Sequence, residues 1–400
     1  MNNVPNLRFK EFSGEWENSR LKDISQIYDG THQTPKYKSS GIKFISVENI
    51  KNIYSTDKFI SEEDYQKNFK IRPQINDIFM TRITAGEIGA TAIVTQEENL
   101  AYYVSLALIR GNQTQVSSMF LSYYIASRYF KKELHKRIIH VAFPKKINLG
   151  DIGECLIKKP TLEEQEKIAS FFSLIDKKIE LQTEKVEELK NYKKGSMLKI
   201  FSQELRFKDE NGNEYPEWEN IKLSKILLER KTYAEKDGKY PHVTLSKDGI
   251  YDKGERYDRD FLVKTEDKKY KITHKGDICY NPANLKFGVI CRNDFGDAIF
   301  SPIYVTFEIN KNVDSNYMGY YLTRWDFINK VRKYEEGTVY ERMAVKPEDF
   351  LRFNVDLPNI REQKKISNFL IKIDSKIDYE QQKLELLTSY KKGLLQQMFI

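Results

Sequence analysis

The sequence of 400 residues has little of what builds disulfide frameworks, metal centres or membrane spans. Its three cysteines, Cys155, Cys279 and Cys291, are an odd number without metal-type spacing, which argues against disulfides and a zinc site. The histidines are scattered and form no His-Glu-x-x-His pair. No apolar run approaches the ~20 residues that span a bilayer, and the first residues lack a signal-peptide core. We therefore expect a soluble, cytoplasmic protein that does not interact with membranes.

Signatures of a self-contained enzyme are also missing. The sequence contains neither a Walker-type phosphate loop nor a Gly-x-Gly-x-x-Gly segment after a strand. Asn281-Pro282-Ala283-Asn284 superficially resembles the Asn-Pro-Pro-aromatic motif of amino-methyltransferases. It lacks the second proline and the stacking ring, so we interpret it as a turn. We expect no catalytic residue, no metal and no cofactor bound by this chain.

The composition excludes a disordered chain. Hydrophobic residues make up 40% and aromatic residues 13%, which provides ample surface to bury. The length exceeds one ordinary core, so two or three domains are expected. The net charge of +8 permits a polyanionic partner, and the basic stretch Arg128–Lys146 contains seven Lys or Arg and one Glu. A solvated helix face explains that stretch equally well.

The chain is a tandem duplication of one plan. Residues 160–202 match residues 358–400 at 18 of 43 positions without a gap, an offset of 198. Leu7-Arg8-Phe9-Lys10 recurs as Leu205-Arg206-Phe207-Lys208. Since the offset is close to half of the chain, we infer that the whole chain is duplicated.

The two copies keep the same order of elements between their matching ends. Asp77-Ile78 and Asp277-Ile278 each open a short apolar run, which predicts equivalent strands. Apolar residues at three- and four-residue steps predict one face of a helix in the second copy: Met318, Leu322, Trp325 and Ile328. Each half is therefore expected to contain an α+β globule of roughly 150 residues.

The repeated tails carry the heptad pattern of a coiled coil, with apolar residues at alternating steps of four and three. The seam position between the apolar ones is polar in both tails, and such residues cost stability but can fix register. Two amphipathic helices packed separately on their own domains are the alternative. The seam residues are Ile168, Phe172, Ile175, Ile179, Gln182, Val186 and Leu189 in the first tail, and Ile366, Leu370, Ile373, Ile377, Glu380, Leu384 and Leu387 in the second.

Connectivity predicts the direction of pairing. The first tail leads from domain one into domain two and the second leaves domain two, so paired tails must run antiparallel. The expected fold is α+β, with two similar domains joined by two long antiparallel coiled-coil helices in a pseudo-two-fold, circular arrangement. Met398-Phe399 should then lie close to Leu7-Arg8-Phe9. The expected segments are domain one at 1–158, spacer helix one at 159–202, domain two at 203–356 and spacer helix two at 357–400.

Several repeated motifs together carry a family resemblance. They are Pro160, Glu164-Gln165 and Ile168 with Pro358, Glu362-Gln363 and Ile366, the Leu-Arg-Phe segments with Trp16 and Trp218, Asp29-Gly30-Thr31 with Pro35, and Asp77-Ile78 with Asp277-Ile278. In this duplicated order, the chain resembles the specificity subunit of a type I restriction-modification system. The resemblance covers the whole chain.

The resemblance implies a function for each part of the chain. Each target-recognition domain would read one half of an asymmetric bipartite target in double-stranded DNA. The helices would set the gap between the half-sites and dock two modification subunits, which carry S-adenosylmethionine. Restriction subunits that use ATP and Mg would complete the complex. A coiled-coil protein-interaction scaffold and a self-contained methyltransferase remain as alternative functions.

Candidate DNA-binding residues are polar or basic residues in predicted loops. Arg can read guanine and Asn adenine through two hydrogen bonds, whereas Lys mostly contacts phosphate. The candidates are Lys36, Lys38, Arg82, Thr84, Lys145 and Lys146 in domain one, and Lys247, Arg259, Asn284, Lys286, Tyr340 and Arg342 in domain two. Plain surface solvation is the competing interpretation of each of them.

Overall fold

The computed structural model describes residues 3–235, 238–253, 269–334 and 344–400. The chain forms two compact units. Unit one consists of Met1–Lys185 and Glu380–Ile400, and unit two of Val186–Tyr379. Each long helix is thus divided between the two units. The predicted segments instead keep each helix, 159–202 and 357–400, as one piece. Three candidate residues lie outside the described ranges: Arg259, Tyr340 and Arg342.

The described residues combine short helices and strands with two long helices. The helices are α1 (Leu21–Ile24), α2 (Glu62–Asn68), α3 (Ser118–Ala126), α4 (Arg128–His135), α5 (Leu149–Gly153), α6 (Leu162–Phe201), α7 (Ser315–Leu322), α8 (Trp325–Val331), α9 (Pro347–Phe350) and α10 (Ile360–Met398). The strands of unit one are β1 (Glu17–Arg20), β2 (Ser25–Asp29), β3 (Ile42–Ile45), β4 (Phe59–Ile60), β5 (Ile78–Thr81), β6 (Ile83–Thr84), β7 (Thr91–Ile93), β8 (Leu100–Tyr102), β9 (Leu106–Gly111), β10 (Lys145–Lys146) and β11 (Leu156–Lys159). Those of unit two are β12 (Glu219–Lys222), β13 (Leu227–Glu229), β14 (Tyr233–Ala234), β15 (Val243–Ser246), β16 (Gly249–Asp252), β17 (Tyr270–Thr273), β18 (Ile278–Tyr280), β19 (Ile290–Arg292), β20 (Ala298–Phe300), β21 (Val305–Ile309) and β22 (Asn354–Leu357). The predicted α+β class is confirmed.

Each unit is built on a four-stranded antiparallel sheet. The strand order is β2-β9-β5-β7 in unit one and β13-β21-β18-β19 in unit two. Ile78 pairs with Ile109, and Ile278 pairs with Phe307 at the equivalent position. The central strands β5 and β18 are buried throughout, which explains why they are short apolar runs in the sequence. The strands predicted to begin at Ile78 and Ile278 are therefore confirmed.

The aspartate before each central strand holds a turn. Asp77 and Asp277 each accept a hydrogen bond from the backbone N–H three residues earlier, at 2.8 Å. Arg110, from β9, pairs with Asp77 at 2.6 Å, whereas Arg230, which follows β13, pairs with Asp277 at 2.9 Å. These hydrogen bonds raise the pKa of both guanidinium groups. The repeated Asp-Ile motif thus has a structural role.

A second repeated motif fastens each long helix to its domain. Arg8 donates two hydrogen bonds to Glu164, at 2.8 and 2.7 Å, and Arg206 donates two to Glu362, at 3.2 and 2.8 Å. Both carboxylates are almost completely buried. The indole N–H of Trp218 donates a further hydrogen bond to Glu362, at 3.1 Å. The Leu-Arg-Phe and Glu-Gln motifs therefore recur together, because the arginine of one motif binds the glutamate of the other.

Arg206→Ala is expected to destabilise unit two by about 2–3 kcal/mol. The substitution leaves Glu362 buried with only the Trp218 donor, and an uncompensated buried charge is costly. The partial exposure of Arg206 keeps the cost below that of a fully buried pair. Urea unfolding monitored by Trp fluorescence measures the change. Arg206→Ala combined with Glu362→Gln should recover part of the loss, and no recovery would contradict this assignment.

The first turns of each long helix belong to the core of its own domain. Ile168 and Phe172 join the main core of unit one, and Ile366 and Leu370 join that of unit two. In these first turns, each long helix therefore packs on its own domain, as the alternative to a coiled coil predicts. All fourteen predicted seam residues are buried or half-buried.

Beyond those turns, the two long helices pair with each other. In unit one, the Gln182 amide donates to the carboxylate of Glu380 at 2.8 Å, and Lys185 pairs with the same carboxylate at 2.7 Å. Asp176 pairs with Lys391. Since a residue before Gln182 contacts one after Glu380, the helices run antiparallel, as predicted. Gln182 and Glu380 also occupy equivalent positions of the repeat, 198 residues apart.

The last residues of the sequence pack into domain one. The backbone N–H of Leu7 donates to the carbonyl oxygen of Gln397 at 3.0 Å. The ring of Phe399 is fully buried, with centroids 6.3 Å from Trp16 and 5.7 Å from Phe172. The expected closeness of Met398-Phe399 to Leu7-Arg8-Phe9 is confirmed.

The single helix face predicted through Met318 and Ile328 is wrong. The segment forms two helices, α7 and α8, separated at Thr323 and Arg324. Arg324 has an extended backbone, and its guanidinium lies 4.4 Å from the ring centroid of Tyr321. The break turns Trp325 out of the apolar face, so its side chain is 58% exposed.

Candidate nucleic-acid interface

Residues 139–146 of domain one form a short hairpin, here called the finger. Lys145 pairs with Thr84 and Lys146 with Ile83, in antiparallel register. The backbone N–H of Ile139 donates to the carbonyl oxygen of Lys146 at 2.8 Å and closes the hairpin. Both lysine side chains are exposed. The structure thus brings three candidate residues, Thr84, Lys145 and Lys146, onto one ribbon.

Arg82 lies at the base of the finger, and its predicted base contact requires correction. Its side chain is only 6% exposed. The guanidinium donates to the carbonyl oxygens of Val104 (2.9 Å) and Ile147 (3.1 Å) and to the carboxylate of Asp29 (3.0 Å). The Ile147 N–H donates back to the Arg82 carbonyl oxygen at 3.0 Å. Arg82 is occupied inside the domain, so we interpret it as a positioning residue that ties the finger to the sheet.

The loop that carries Lys36 and Lys38 leaves the same sheet directly after Asp29. Gly30 permits this exit, because a Cβ atom there would lie 2.5 Å from the carbonyl carbon of Tyr103. Both lysine side chains are exposed, and the Lys38 N–H donates to the carbonyl oxygen of Phe59 at 2.8 Å. Asp29, held by Arg82, therefore connects this loop with the base of the finger.

A basic groove of about 820 Å³ lies beside α4. The ring Nε2 of His140 in the finger lies 3.0 Å from the carbonyl oxygen of His135, at the end of α4. Lys131 and Lys136 pair with Glu87 and Glu133, so part of the charge is neutralised. The basic stretch of the sequence therefore splits between this groove and the finger. The lining residues are Ala126, Arg128, Lys131, Lys132, His135, Lys136, Lys392, Leu395 and Gln396.

Two exposed finger residues are not predicted from the sequence. The side chain of Val141 is 97% exposed and that of Phe143 is 92% exposed. Apolar side chains in a sequence indicate a core, so the sequence does not mark either residue as a binding candidate. Their position inside a basic stretch, next to Pro144 and Lys145, was the available signal.

In domain two, a different element follows the central strand of the sheet. Asn284 and Lys286 lie, half-buried, on a 3₁₀ helix at Pro282–Phe287, where domain one has the finger base. The side chain of Asn281 accepts from the Ala283 N–H at 3.1 Å, which confirms the turn predicted at 281–284. The Val345 N–H donates to the Pro282 carbonyl oxygen, as the Ile147 N–H does to that of Arg82.

Lys247 lies on a separate element, the exposed turn between β15 and β16. It lines a groove of about 790 Å³ together with Arg292 and Asp294. Lys247 is therefore set on a hairpin of its own, whereas Asn284 and Lys286 share one 3₁₀ helix.

Two of the three cysteines, Cys155 and Cys279, are buried. Burial raises the pKa of the Cys155 and Cys279 thiols to about 12 each, so both are protonated and unreactive near neutral pH. No group of three or more His, Cys, Asp or Glu in the described ranges is arranged to hold a metal ion. In the same ranges, no helix is both long and apolar enough to cross a membrane.

Comparisons with known proteins agree on one family. Residues 13–191 and 216–389 match the family model described as type I restriction modification DNA specificity domain. The "Putative type I restriction enzyme MjaX specificity subunit" of Methanocaldococcus jannaschii is 26% identical over 423 residues, covering 98% of this chain and 95% of the relative. The type I restriction enzyme MjaVIII specificity subunit of the same organism is 26% identical over 208 residues, covering 50% of this chain and 49% of the relative.

Solved structures share the fold at low sequence identity. A type I restriction-modification S subunit from M. genitalium superposes with a TM-score of 0.59 at 15% identity, covering 99% of both chains. A chain from a study of type I restriction-modification complex assembly and conformational transition gives a TM-score of 0.54 at 13% identity, covering 95% of this chain and 96% of that one. At such identities the likeness concerns the fold alone.

Proposed function

The chain belongs to the type I restriction-modification DNA specificity family, and from this premise we propose that it is the DNA-recognition subunit of such a complex. Each domain reads one half of an asymmetric bipartite target in duplex DNA. The paired helices set the gap between the half-sites. The chain itself is not catalytic in this proposal, and the family makes a protein-interaction scaffold the weaker alternative.

One observation supports the proposal: the two domains share the same four-stranded sheet but differ in the segment that follows its central strand. The four-stranded sheets have the same strand order, and the aspartates before β5 and β18 hold equivalent turns. At the end of the central strand, domain one continues into the β6 ribbon of the finger, whereas domain two continues into the 3₁₀ helix at Pro282–Phe287. A shared frame that presents different side chains suits two recognition domains that read different half-sites.

We further propose which partners supply the chemistry. Two modification subunits dock on the chain and carry S-adenosylmethionine, and restriction subunits supply ATP- and Mg-dependent cleavage. The proposed compartment is the cytoplasm. Transfer of a radiolabelled methyl group by the purified chain alone would contradict this division of roles. A gel shift on random duplex, with and without modification subunits, separates DNA recognition from the scaffold alternative, which predicts no shifted band.

The finger lysines provide a quantitative test. Lys145→Ala with Lys146→Ala is expected to weaken binding to specific and random duplex by similar factors. The slope of log K against log salt should flatten by about one to two units, because each lysine neutralises about one phosphate. Fluorescence anisotropy at several salt concentrations measures both quantities.

The matched control removes two lysines from the exposed side of α6, Lys177→Ala with Lys178→Ala, and should leave the slope unchanged. An unchanged slope in the finger variant would exclude Lys145 and Lys146 from the DNA interface.

A further inference from the structure

The finger ends in an exposed apolar tip. Val141 and Phe143 are the two most exposed large hydrophobic side chains among the described residues, and only one residue separates them. Single exposed hydrophobic residues are ordinary on protein surfaces. Val141 and Phe143 both project from one short hairpin loop, where water solvates them poorly, so covering them with a partner would be favourable.

The hairpin below the tip is anchored at several points. Ile139 is hydrogen-bonded to Lys146, and Lys145 pairs with Thr84. Arg82 fixes the strand beyond the finger through the Ile147 carbonyl oxygen. The tip is therefore presented on a fixed base, which lowers the entropy lost when it binds a partner.

The charges beside the tip select the kind of partner. Lys145 and Lys146 are exposed, and neither has an ion-pair partner among the described residues. They follow Phe143 and Pro144 directly in the chain. Duplex DNA places a stack of apolar base faces beside rows of phosphates. An apolar side chain next to two cations is complementary to such a ligand.

We propose that Phe143, supported by Val141, is a wedge that inserts between two stacked base pairs of the half-site read by domain one. Lys145 and Lys146 bind the phosphates next to the opened step. This assignment rests on the proposed function and adds a mechanism to it. Because pyrimidine–purine steps unstack most easily, that half-site should contain a TA or CA/TG step at the wedge position.

The test uses the full chain assembled with its modification subunits. The probe is a duplex that carries the motif found by methylation mapping, with 2-aminopurine replacing adenine at one position of the half-site at a time. Apart from the target adenine, which a methyltransferase flips out of the stack, wild-type protein should raise the 2-aminopurine fluorescence at one further step. Phe143→Ala should abolish that rise and weaken binding about fivefold to a hundredfold, the range of a lost aromatic–base contact. The salt slope should not change, since no charge is removed.

Two further variants make the result decisive. Phe143→Trp keeps an aromatic wedge and should retain tight binding. Leu174→Ala removes another exposed large hydrophobic side chain, from α6, and should leave fluorescence and affinity unchanged. Full fluorescence and affinity in Phe143→Ala would overturn the wedge while leaving DNA recognition intact. Loss of co-elution with the modification subunits, with unchanged fluorescence, would make the tip a protein contact and also overturn it. Failure of the wild-type complex to bind the motif would refute the proposed function instead.

Discussion

Deleting one heptad from each long helix, Ile179–Lys185 and Ile377–Lys383, is expected to shorten the gap in the DNA target while both half-sites stay the same. Seven residues span ~10 Å of α-helix, so the gap should shrink by at most about three base pairs. A whole heptad keeps the seam in phase, and the domains themselves are not altered. Methylation mapping in cells that express the variant reads the new gap directly.

The structure shows that the two deletions must be made together. The first removes Gln182 and Lys185, and the second removes Glu380, their common partner. Deleting only Ile179–Lys185 would leave the Glu380 carboxylate buried without these donors, so this control should be poorly stable. A stable double deletion that keeps the original gap would show that the helices are not the spacer.

Phe399→Ala is expected to destabilise domain one by about 3–5 kcal/mol, the usual cost of truncating a fully buried phenylalanine. The ring is fully buried and contacts Trp16, Phe120, Tyr124 and Phe172, with centroid distances of 5.5–6.3 Å. None of these residues is near Phe399 in the sequence. The effect should therefore appear in a domain whose own segment ends more than 200 residues earlier.

Hydrogen exchange followed by mass spectrometry locates the damage. Phe399→Ala should speed amide exchange in α3 and α4, with little change in α7 and α8. Phe201→Ala is the matched control, since Phe201 occupies the equivalent position of the repeat and contacts Tyr317 and Tyr321 at 5.7 and 5.5 Å. It should speed exchange in α7 and α8 instead. Equal effects of both variants on all four helices would contradict the assignment of each ring to its own domain.

The features predicted from the sequence are those that local patterns specify. The heptad spacing places Ile175 and Leu384 on the buried side of their helices, and the apolar runs after Asp77 and Asp277 become central strands. The repeat and the connectivity together predict antiparallel pairing and the position of Phe399. Each of these inferences needs only residue spacing or chain order.

The features that escaped prediction depend on residues distant in sequence. Arg82 is a residue type that often reads bases. Its guanidinium instead donates hydrogen bonds to Asp29 and Ile147, which are 53 and 65 positions away in the sequence. Phe143 is a residue type that usually lies in a core, yet its side chain is exposed. Trp325 continues the spacing of α7, but the break at Arg324 turns it outward. Burial of a single side chain is a tertiary property that spacing does not reveal.

The most direct test of DNA recognition is a methylation map of the host genome by single-molecule sequencing, with and without this chain, in the presence of its modification subunits. We predict that one asymmetric motif, two half-sites separated by a fixed gap, is methylated only when the chain is expressed. Exchanging domain two for that of a relative should replace one half-site and keep the other. Methylation of the same motif in cells that lack the chain would contradict its role as the specificity subunit.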